Sequence, residues 1–388
     1  MMRGSGMATA TALIGATLFD GDRLREGQAV LIEAGKIAGV MPEGNLPRGV
    51  EKQSVSGLLA PGFIDVQVNG GGGVLFNETR TIEGIAAIGA AHRPYGTTGF
   101  LPTFITDTPD SMGEAIKAAD AAIQARTPGV LGIHLEGPFL NPERKGIHRA
   151  DLMRTIGDGD VAMIDLPAGG RVLVTLAPEK TEPSVIAKLT QSGIIVAAGH
   201  TKADVETIRK AQAAGLTGIT HLFNAMPPLM GREPGPVGAA LEDKELWCGL
   251  IVDLHHVSAV SLRVALAARG PERMILVTDA MPSVGSEEDH FTLLGENIKR
   301  VNGALVNDAG TLAGSDLDMA SGVRNTVKHL GVSIEDALRM AALHPATFLR
   351  LDAELGRIAE GYRADLVLLD ADFQVKATWI SGSRQDER

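Results

Sequence analysis

The stretch IIVAAGHTKADVETIRKAQAAGLTGITHLF (194–223) contains two apolar runs, IIVAAGH and ITHLF, separated by a helix-like segment. Both runs are short and almost continuously apolar, which is typical of strands buried on both faces of a parallel sheet. The segment between them is rich in residues that favour helices. The stretch therefore predicts a strand, a crossover helix and a second parallel strand.

The same alternation continues on both sides of this stretch. Helix-like segments lie between most of eight strand candidates, which are FIDVQV (63–68), TGFLPTF (98–104), VLGIHLE (130–136), RVLVTLA (171–177), IIVAAGH (194–200), ITHLF (219–223), CGLIVD (248–253) and MILVTD (274–279). Eight strands with intervening helices predict an α/β fold, a (β/α)8 barrel of the TIM type. A doubly wound open sheet is the alternative, because a strand count from sequence can be wrong by one or two.

The two ends of the chain have a different pattern of apolar and polar residues. Residues 8–60 and 352–388 contain short β-like runs separated by glycines and charged turns, and neither segment shows a helical period. We expect these two segments to form one small β-sandwich domain. Residues 61–351 would then form the barrel.

Composition excludes several classes of protein. The net charge of −11 over 388 residues argues against a nucleic-acid partner, which would require a basic surface. No apolar run approaches the ~20 residues that cross a bilayer, and the N-terminal stretch MMRGSGMATATALIG is too broken for a signal peptide. The single cysteine, Cys248, excludes an intramolecular disulfide framework. We therefore expect a cytoplasmic protein without a membrane partner.

Polar residues occur where the predicted strands end, and the active groups of such barrels lie at those ends. Six residues share this placement: Gln67, Asn69, Glu136, His200, His221 and Asp279. Two histidines and a carboxylate with an open position for water are the composition of a catalytic divalent-metal site. Each residue alone has a structural alternative, such as a hydrogen-bonded histidine or a helix-capping aspartate. Their joint placement favours the metal site.

Longer motifs carry a family resemblance. They are HLEGPFLNPERKGIH (134–148), AAGHTKA (197–203), THLFNAMPPLMGREPG (220–235) and LVTDAM (276–281). These motifs resemble those of N-acetylglucosamine-6-phosphate deacetylases of the amidohydrolase superfamily. PGFIDVQVNGGGG (61–73) and ADLVLLD (364–370) agree with the superfamily, so the resemblance covers nearly the whole chain.

The resemblance implies a role for five residues around the reacting bond. Glu136, His200 and His221 would be the metal ligands. Asp279 would be the general base and then the general acid. His148 would lie near the acetyl carbonyl and help to polarise it.

The resemblance also implies the groups that bind the substrate. His256 would contact the sugar phosphate, and we expect its neighbour His255 to face away. Asn224 and the backbone amide of Ala225 would contact the phosphate. Arg232 would reach the phosphate bound to the neighbouring subunit, which would make the active enzyme a homodimer.

One pair of residues departs from the pattern of many amidohydrolases. Those enzymes have a His-x-His pair at the end of the first strand, whereas this chain has Gln67-x-Asn69. An amide oxygen is a weaker ligand than imidazole for a borderline-soft metal. We therefore expect one tightly held divalent ion, with Gln67 close to a weak second position. Zinc is favoured, and iron or another divalent ion is the alternative.

The expected reaction is hydrolysis of the N-acetyl group of N-acetylglucosamine-6-phosphate. Three alternatives stay open: an N-acetylgalactosamine-6-phosphate deacetylase, another amidohydrolase such as a cyclic amidase, and a non-catalytic barrel scaffold. Cyclic amidases commonly have a carboxylated lysine on strand three, where this chain has Glu136. A scaffold should have lost metal ligands or the base, and this chain retains both.

Overall fold

The computed structural model describes residues 10–166 and 168–385. Residues 8–9 and 386–388, which the predicted sandwich includes, lie outside these ranges. The first nine residues of the N-terminal stretch MMRGSGMATATALIG also lie outside them. The described strands form sheets of eight, six, four and three strands and one two-stranded hairpin.

Seven strands precede the barrel. They are β1 Thr11–Ile14, β2 Thr17–Phe19, β3 Leu24–Arg25, β4 Gln28–Glu33, β5 Lys36–Pro42, β6 Glu51–Ser54 and β7 Leu58–Pro61.

The next part of the chain alternates strands and helices. Its elements are β8 Phe63–Val68, the hairpin strands β9 Gly70–Gly71 and β10 Val74–Leu75, α1 Ile82–His92, β11 Thr97–Ile105, α2 Pro109–Gln124, β12 Gly132–Glu136, α3 Asp158–Met163, β13 Arg171–Leu176, α4 Pro183–Gln191, β14 Ile195–Ala198, α5 Val205–Ala213, β15 Gly218–Ile219, α6 Gly235–Glu242, β16 Trp247–Leu250, α7 Ala259–Arg269 and β17 Met274–Leu276.

The last part carries an inserted sheet, three helices and three further strands. They are β18 His290–Leu293, β19 Glu296–Val301, β20 Ala304–Asn307, α8 Met319–Leu330, α9 Ile334–Ala341, α10 Leu343–Phe348, β21 Leu366–Leu369, β22 Val375–Ile380 and β23 Ser383–Arg384.

The eight-stranded sheet has the order β17-β16-β15-β14-β13-β12-β11-β8, and its neighbours pair in parallel. The sheet closes between the last residues of β8 and the residues just after β17, where Val68 pairs with Ala280 and Asp279 N donates to Gln67 O at 3.0 Å. Each of the eight predicted runs overlaps one of these strands. The prediction of a (β/α)8 barrel is therefore confirmed, and the open-sheet alternative is wrong.

Burial on both sides explains why the barrel strands are largely apolar in the sequence. One cluster of side chains, which includes Leu101, Leu173 and Ile275, fills the barrel interior and the end opposite the C-terminal ends of the strands. A second and larger cluster packs between the outside of the sheet and the helices. A strand with both faces buried is mostly apolar, and its few polar residues, such as Asp65 and Gln67 of β8, have hydrogen-bond partners.

The small domain is a sandwich of a four-stranded sheet, β5-β4-β1-β6, and a six-stranded sheet, β23-β22-β21-β7-β2-β3. β7 pairs antiparallel with β21, which joins the N-terminal and C-terminal segments in one sheet. Leu13, Val30 and Trp379 belong to the cluster that fills this domain. The prediction of a sandwich built from both ends is confirmed, while the boundaries at 60/61 and 351/352 stay a prediction.

The sheet β18–β20 was not predicted from the sequence. Its strands are short and largely exposed, so they lack the apolar runs by which the barrel strands were found. Leu293, Ile298 and Leu305 are its buried residues, and they pack in one cluster with Ile105 and Met281 at the barrel mouth. The insert therefore covers one side of the mouth.

The described helices are short. The longest, α2, has 16 residues, whereas about 20 are needed to cross a bilayer. Within the described ranges, no helix combines the length and the apolar character of a membrane span.

Candidate active site

The C-terminal ends of the barrel strands surround a cavity of about 170 Å³. Its lining residues are Asn69, Ile105, Glu136, Gly146, Ile147, His148, His200, His221, Asn224, Ala225, His256, Asp279, Met281, Leu312 and Gly314. Eight of the ten residues predicted for the site are in this lining. Gln67 lies at its floor in contact with two of them, and Arg232 lies elsewhere.

Four lining residues other than glycine have unusual backbone conformations, namely Ala225, with a φ of 52°, and three residues at the ends of strands. The φ angles of His200, His221 and Asp279 are 48°, 29° and 55°, in the left-handed region that side chains other than glycine rarely adopt. Each residue follows the end of a barrel strand. Backbone strain of this kind is concentrated at functional sites, where the surrounding structure holds it.

Glu136, His200 and His221 form a triangle of ligand atoms. Oε1 of Glu136 lies 3.1 Å from Nε2 of His200 and 2.9 Å from Nε2 of His221, and the two nitrogens are 3.1 Å apart. A tetrahedral ion with nitrogen and oxygen ligands at about 2.0–2.1 Å would hold them roughly 3.3 Å apart. The triangle is therefore close to the size that a divalent metal requires.

The protonation of His200 also favours a cation at this point. Its Nδ1 lies 2.8 Å from the carbonyl oxygen of Arg144, which can only accept a hydrogen bond. Nδ1 must therefore carry the hydrogen, and neutral His200 directs a bare Nε2 at the carboxylate of Glu136. Two acceptors 3.1 Å apart are stable only with a positive charge between them. The donor set thus fits a metal ion.

The two imidazoles that face it keep the carboxylate of Glu136 ionised. Burial alone would raise the pKa of Glu136, but His200 and His221 outweigh that effect and hold the pKa well below its usual range. The same interaction, against the opposing effect of burial, raises the pKa of His221. A permanently charged carboxylate is what a metal ligand requires.

Two amides connect the carboxylates of the site. Gln67 Nε2 donates to Oε2 of Glu136 at 3.1 Å and to Oδ1 of Asp279 at 3.2 Å. Asn69 Nδ2 donates to the same oxygen of Asp279 at 2.7 Å. Burial and then the negative charge of Glu136 raise the pKa of Asp279 to about 6. Asp279 is therefore mostly ionised above neutral pH and is basic enough to accept a proton.

His148 lies beside the metal ligands. Its ring centroid is 4.4 Å from that of His200, and its Nδ1 is 2.9 Å from Oγ1 of Thr106. Burial lowers the pKa of His148 to about 3. His148 is consequently neutral at physiological pH.

His256 is held by a carboxylate that the sequence analysis missed. Oδ2 of Asp253 lies 2.6 Å from Nδ1 of His256, and Oδ1 accepts from the backbone N–H groups of His255 and His256 at 2.9 Å each. Leu254 between them has a φ of 67°. This turn places the ring of His256 in the cavity lining and leaves His255 exposed. The spacing Asp-x-x-His in one loop is the sequence signal that could have identified the pair.

Arg232 is not among the described residues that line the cavity. It lies in the connection between β15 and α6 and is exposed. Leu229 and Met230, in the same connection, are 52% and 58% exposed. Adjacent large apolar side chains that are half exposed are uncommon on the surface of a monomer and are more typical of an interaction surface.

His134 has a structural environment within the barrel. Its Nδ1 is 3.1 Å from Oγ1 of Thr103 and its Nε2 is 2.7 Å from Oγ1 of Thr175, which in turn contacts Oγ1 of Thr220 at 2.6 Å. Burial lowers the pKa of His134 to about 4, so the ring is neutral. These residues form a buried polar layer beneath the metal ligands.

Comparisons with known proteins identify the family of this chain. The amidohydrolase family matches residues 58–384. An N-acetylgalactosamine-6-phosphate deacetylase of Shewanella sp. (strain ANA-3) is 41% identical over 371 residues, which cover 95% of this chain and 94% of that protein. An N-acetylglucosamine-6-phosphate deacetylase of Haemophilus influenzae is 33% identical over 378 residues, covering 96% and 98%. The crystal structure of N-acetylglucosamine-6-phosphate deacetylase from Pasteurella multocida has a TM-score of 0.93 at 32% identity and covers 97% of this chain and 99% of that chain.

These similarities extend over nearly the whole length of the chain and of the relatives. The family resemblance inferred from the motifs is therefore confirmed. The family and the named relatives also identify a hydrolytic enzyme, so the alternative of a non-catalytic scaffold is wrong.

Proposed function

Because this chain belongs to the amidohydrolase family, we propose that it hydrolyses the N-acetyl group of N-acetylglucosamine-6-phosphate to glucosamine-6-phosphate and acetate. The observation that carries the proposal is the triangle of Glu136, His200 and His221 beside the carboxylate of Asp279 in one cavity. Relatives with this activity cover nearly the whole chain.

Glu136, His200 and His221 would hold one divalent ion, with zinc favoured because nitrogen and oxygen ligands in a tetrahedral set suit it. When bound, such an ion supplies Lewis acidity toward the oxygen atoms of water and of the acyl group. The amide of Gln67 supports a single ion, because its NH₂ group already bridges the carboxylates of Glu136 and Asp279. A second cation would have to displace that donor.

Asp279 would move the protons of the reaction. Its carboxylate takes a proton from the attacking water as the new C–O bond forms. It then gives that proton to the amine nitrogen as the C–N bond breaks, because an unprotonated amine is a poor leaving group. Gln67 and Asn69 hold the carboxylate in place for both transfers.

His148 would stabilise the negative charge that develops on the acetyl oxygen. Its ring is buried at the cavity wall, 4.4 Å from the ring of His200. A single donor of this kind is typically worth about 3–4 kcal/mol of transition-state stabilisation.

The substrate phosphate would be bound away from the reacting bond. Asn224, Ala225 and His256 line one part of the cavity. Because Asp253 holds Nδ1 of His256, the other ring nitrogen, Nε2, is directed toward the ligand. A fixed imidazole with an adjacent amide is a suitable binding site for phosphate oxygens.

We propose that the remaining phosphate contact comes from Arg232 of a second copy of the chain. Arginine can bind phosphate through two parallel hydrogen bonds, and Arg232 is exposed rather than in its own cavity. The exposed Leu229 and Met230 beside it support an interface at this connection. The active form would then be a homodimer.

A second substrate is favoured by one specific observation. The Shewanella relative, at 41% identity, acts on N-acetylgalactosamine-6-phosphate. The two sugars are epimers at one hydroxyl group, so a single hydrogen bond distinguishes them. The same catalytic groups would serve either sugar.

The proposal is tested by acetate release from purified protein. N-acetylglucosamine-6-phosphate, N-acetylgalactosamine-6-phosphate and unphosphorylated N-acetylglucosamine should be compared at equal concentration, with and without a chelator. We expect rapid release from the first substrate, slow release without the phosphate, and loss of activity with the chelator. Faster release from the galactosamine derivative would transfer the assignment to that sugar. No release from either phosphate after reloading with zinc or iron would refute the proposal.

A further inference from the structure

Thr106 is a buried residue directly after β11 that makes two hydrogen-bond contacts with the ring of His148. Its Oγ1 lies 2.9 Å from Nδ1 of His148, and its backbone N–H donates to the same nitrogen at 3.4 Å. Thr106 is fully buried and His148 is 3% exposed. Neither contact was expected from the sequence.

These two contacts determine which ring nitrogen carries the hydrogen. A backbone N–H can only donate, so Nδ1 of His148 must offer its lone pair to it. The hydroxyl of Thr106 can donate to the same lone pair. If Nδ1 carried the hydrogen, that hydrogen would point at the N–H of Thr106. Both contacts are therefore satisfied only when the hydrogen is on Nε2.

The neighbouring His200 has the opposite arrangement. The carbonyl oxygen of Arg144 lies 2.8 Å from its Nδ1 and requires a hydrogen there, which leaves Nε2 bare. Two rings 4.4 Å apart thus have opposite tautomers: the carbonyl of Arg144 fixes that of His200, and the hydroxyl of Thr106, together with its weaker backbone contact, fixes that of His148. A bare Nε2 can bind a metal, whereas an Nε2–H can only donate a hydrogen bond.

The tautomer of His148 is important because its ring is close enough to the metal ligands to bind the metal itself. A ring nitrogen of His148 and the ligand atoms of Glu136 and His200 lie within 4.8 Å of one another. We propose that Thr106 is a positioning residue that fixes the Nε2–H tautomer of His148, so that His148 is a hydrogen-bond donor to the acyl oxygen and not a fourth metal ligand. The catalytic part of this inference rests on the proposed function, and the tautomer itself does not.

The hydroxyl of Thr106 also packs against Gly137. A Cβ atom on Gly137 would lie 2.3 Å from Oγ1 of Thr106, so the hydroxyl packs directly against the turn that follows Glu136. Gly137 has a φ of 91°, which glycine adopts without strain. The turn thus holds the hydroxyl close to the ring of His148.

The tautomer can be read by nitrogen-15 NMR of zinc-loaded enzyme labelled at histidine, because protonated and bare ring nitrogens differ in chemical shift. The signals of His148 are assigned by their loss in His148→Gln. We expect wild type and the control Thr106→Ser to show a hydrogen on Nε2 of His148. Thr106→Val keeps the side-chain shape but loses the hydroxyl, and it should show a mixture of both tautomers. If it does not fold, Thr106→Ala replaces it.

Kinetics give the second readout. The valine variant should lose about 10- to 100-fold in kcat, less than the loss expected for removal of a whole oxyanion donor, with KM and zinc content within about twofold. A bare Nε2 on His148 in wild type, or a valine variant with unchanged tautomer and kcat, would overturn the inference. If no deacetylase activity is found, the proposed function fails, and the NMR comparison still decides the role of Thr106.

Discussion

Replacing Asp279 with asparagine should change activity and stability in opposite directions. The asparagine can keep the geometry, because its oxygen can still accept from Asn69 and Gln67 as Oδ1 does now at 2.7 and 3.2 Å. It cannot carry a proton. We therefore expect kcat to fall about 10²- to 10⁴-fold, the usual contribution of a general acid–base group, or roughly 3–5.5 kcal/mol.

The metal-free protein should become more stable at the same time. Burial and the charge of Glu136 raise the pKa of Asp279 from 3.8 to about 6, so the folded state binds a proton more tightly than the unfolded state. Stability therefore falls as the pH rises from about 4 through 6, and at pH 8 the ionised carboxylate costs about 3 kcal/mol. Asparagine stays neutral and removes this cost. The variant should match wild type near pH 4 and exceed it at pH 8.

The kinetic assay is acetate release by zinc-loaded enzyme, and stability is measured by urea unfolding after chelation. Asp204→Asn is a matched control, because Asp204 is an exposed helix cap and asparagine caps equally well. It should leave kcat unchanged and, because the hydrogen bonds to Thr207 lower the pKa of Asp204, it should reduce stability slightly at pH 8, opposite in sign to Asp279→Asn. A kcat of Asp279→Asn within tenfold of wild type, at full zinc content, would assign the proton transfer to another group. Equal stability of variant and wild type at pH 8 would refute the electrostatic argument.

Three further substitutions test other parts of the site. Arg232→Ala should raise KM about 10- to 100-fold, as expected for a lost hydrogen bond to a charged group, and leave kcat within threefold; unchanged steady-state kinetics would remove Arg232 from the site. Asp253→Asn should also act mainly on KM, because it releases the ring of His256 that lies 2.6 Å away; a change confined to kcat would contradict that role. Gly137→Ala should lower the free energy of unfolding by about 2–5 kcal/mol, since its Cβ would overlap Thr106 Oγ1 in a backbone with a φ of 91°; an unchanged urea midpoint would show that the turn can relax.

The barrel was predictable because its strands are buried on both faces. Runs such as RVLVTLA and IIVAAGH are apolar over most of their length, and the structure places strands at Arg171–Leu176 and Ile195–Ala198 within them. The sheet β18–β20 could not be found in this way. Its strands have one exposed face and contribute few buried residues each, so no run of apolar residues marks them.

The site was predictable where a residue type and a strand end coincide. Glu136, His200 and His221 follow this rule, and the structure brings their ligand atoms within 3.1 Å of each other. Residues that act through a neighbour were not predictable. Thr106 and Asp253 are common residue types in loops, and only the folded chain shows that each contacts a histidine ring.

Metal titration tests the central claim most directly. Protein treated with a chelator and then dialysed should release no acetate from N-acetylglucosamine-6-phosphate. On stepwise addition of zinc, the rate should rise linearly and reach a plateau at one equivalent per chain, and His200→Ala should abolish both zinc binding and the rate. A plateau at two equivalents would contradict the single site at Glu136, His200 and His221. Full activity in the metal-free protein would contradict the account as a whole.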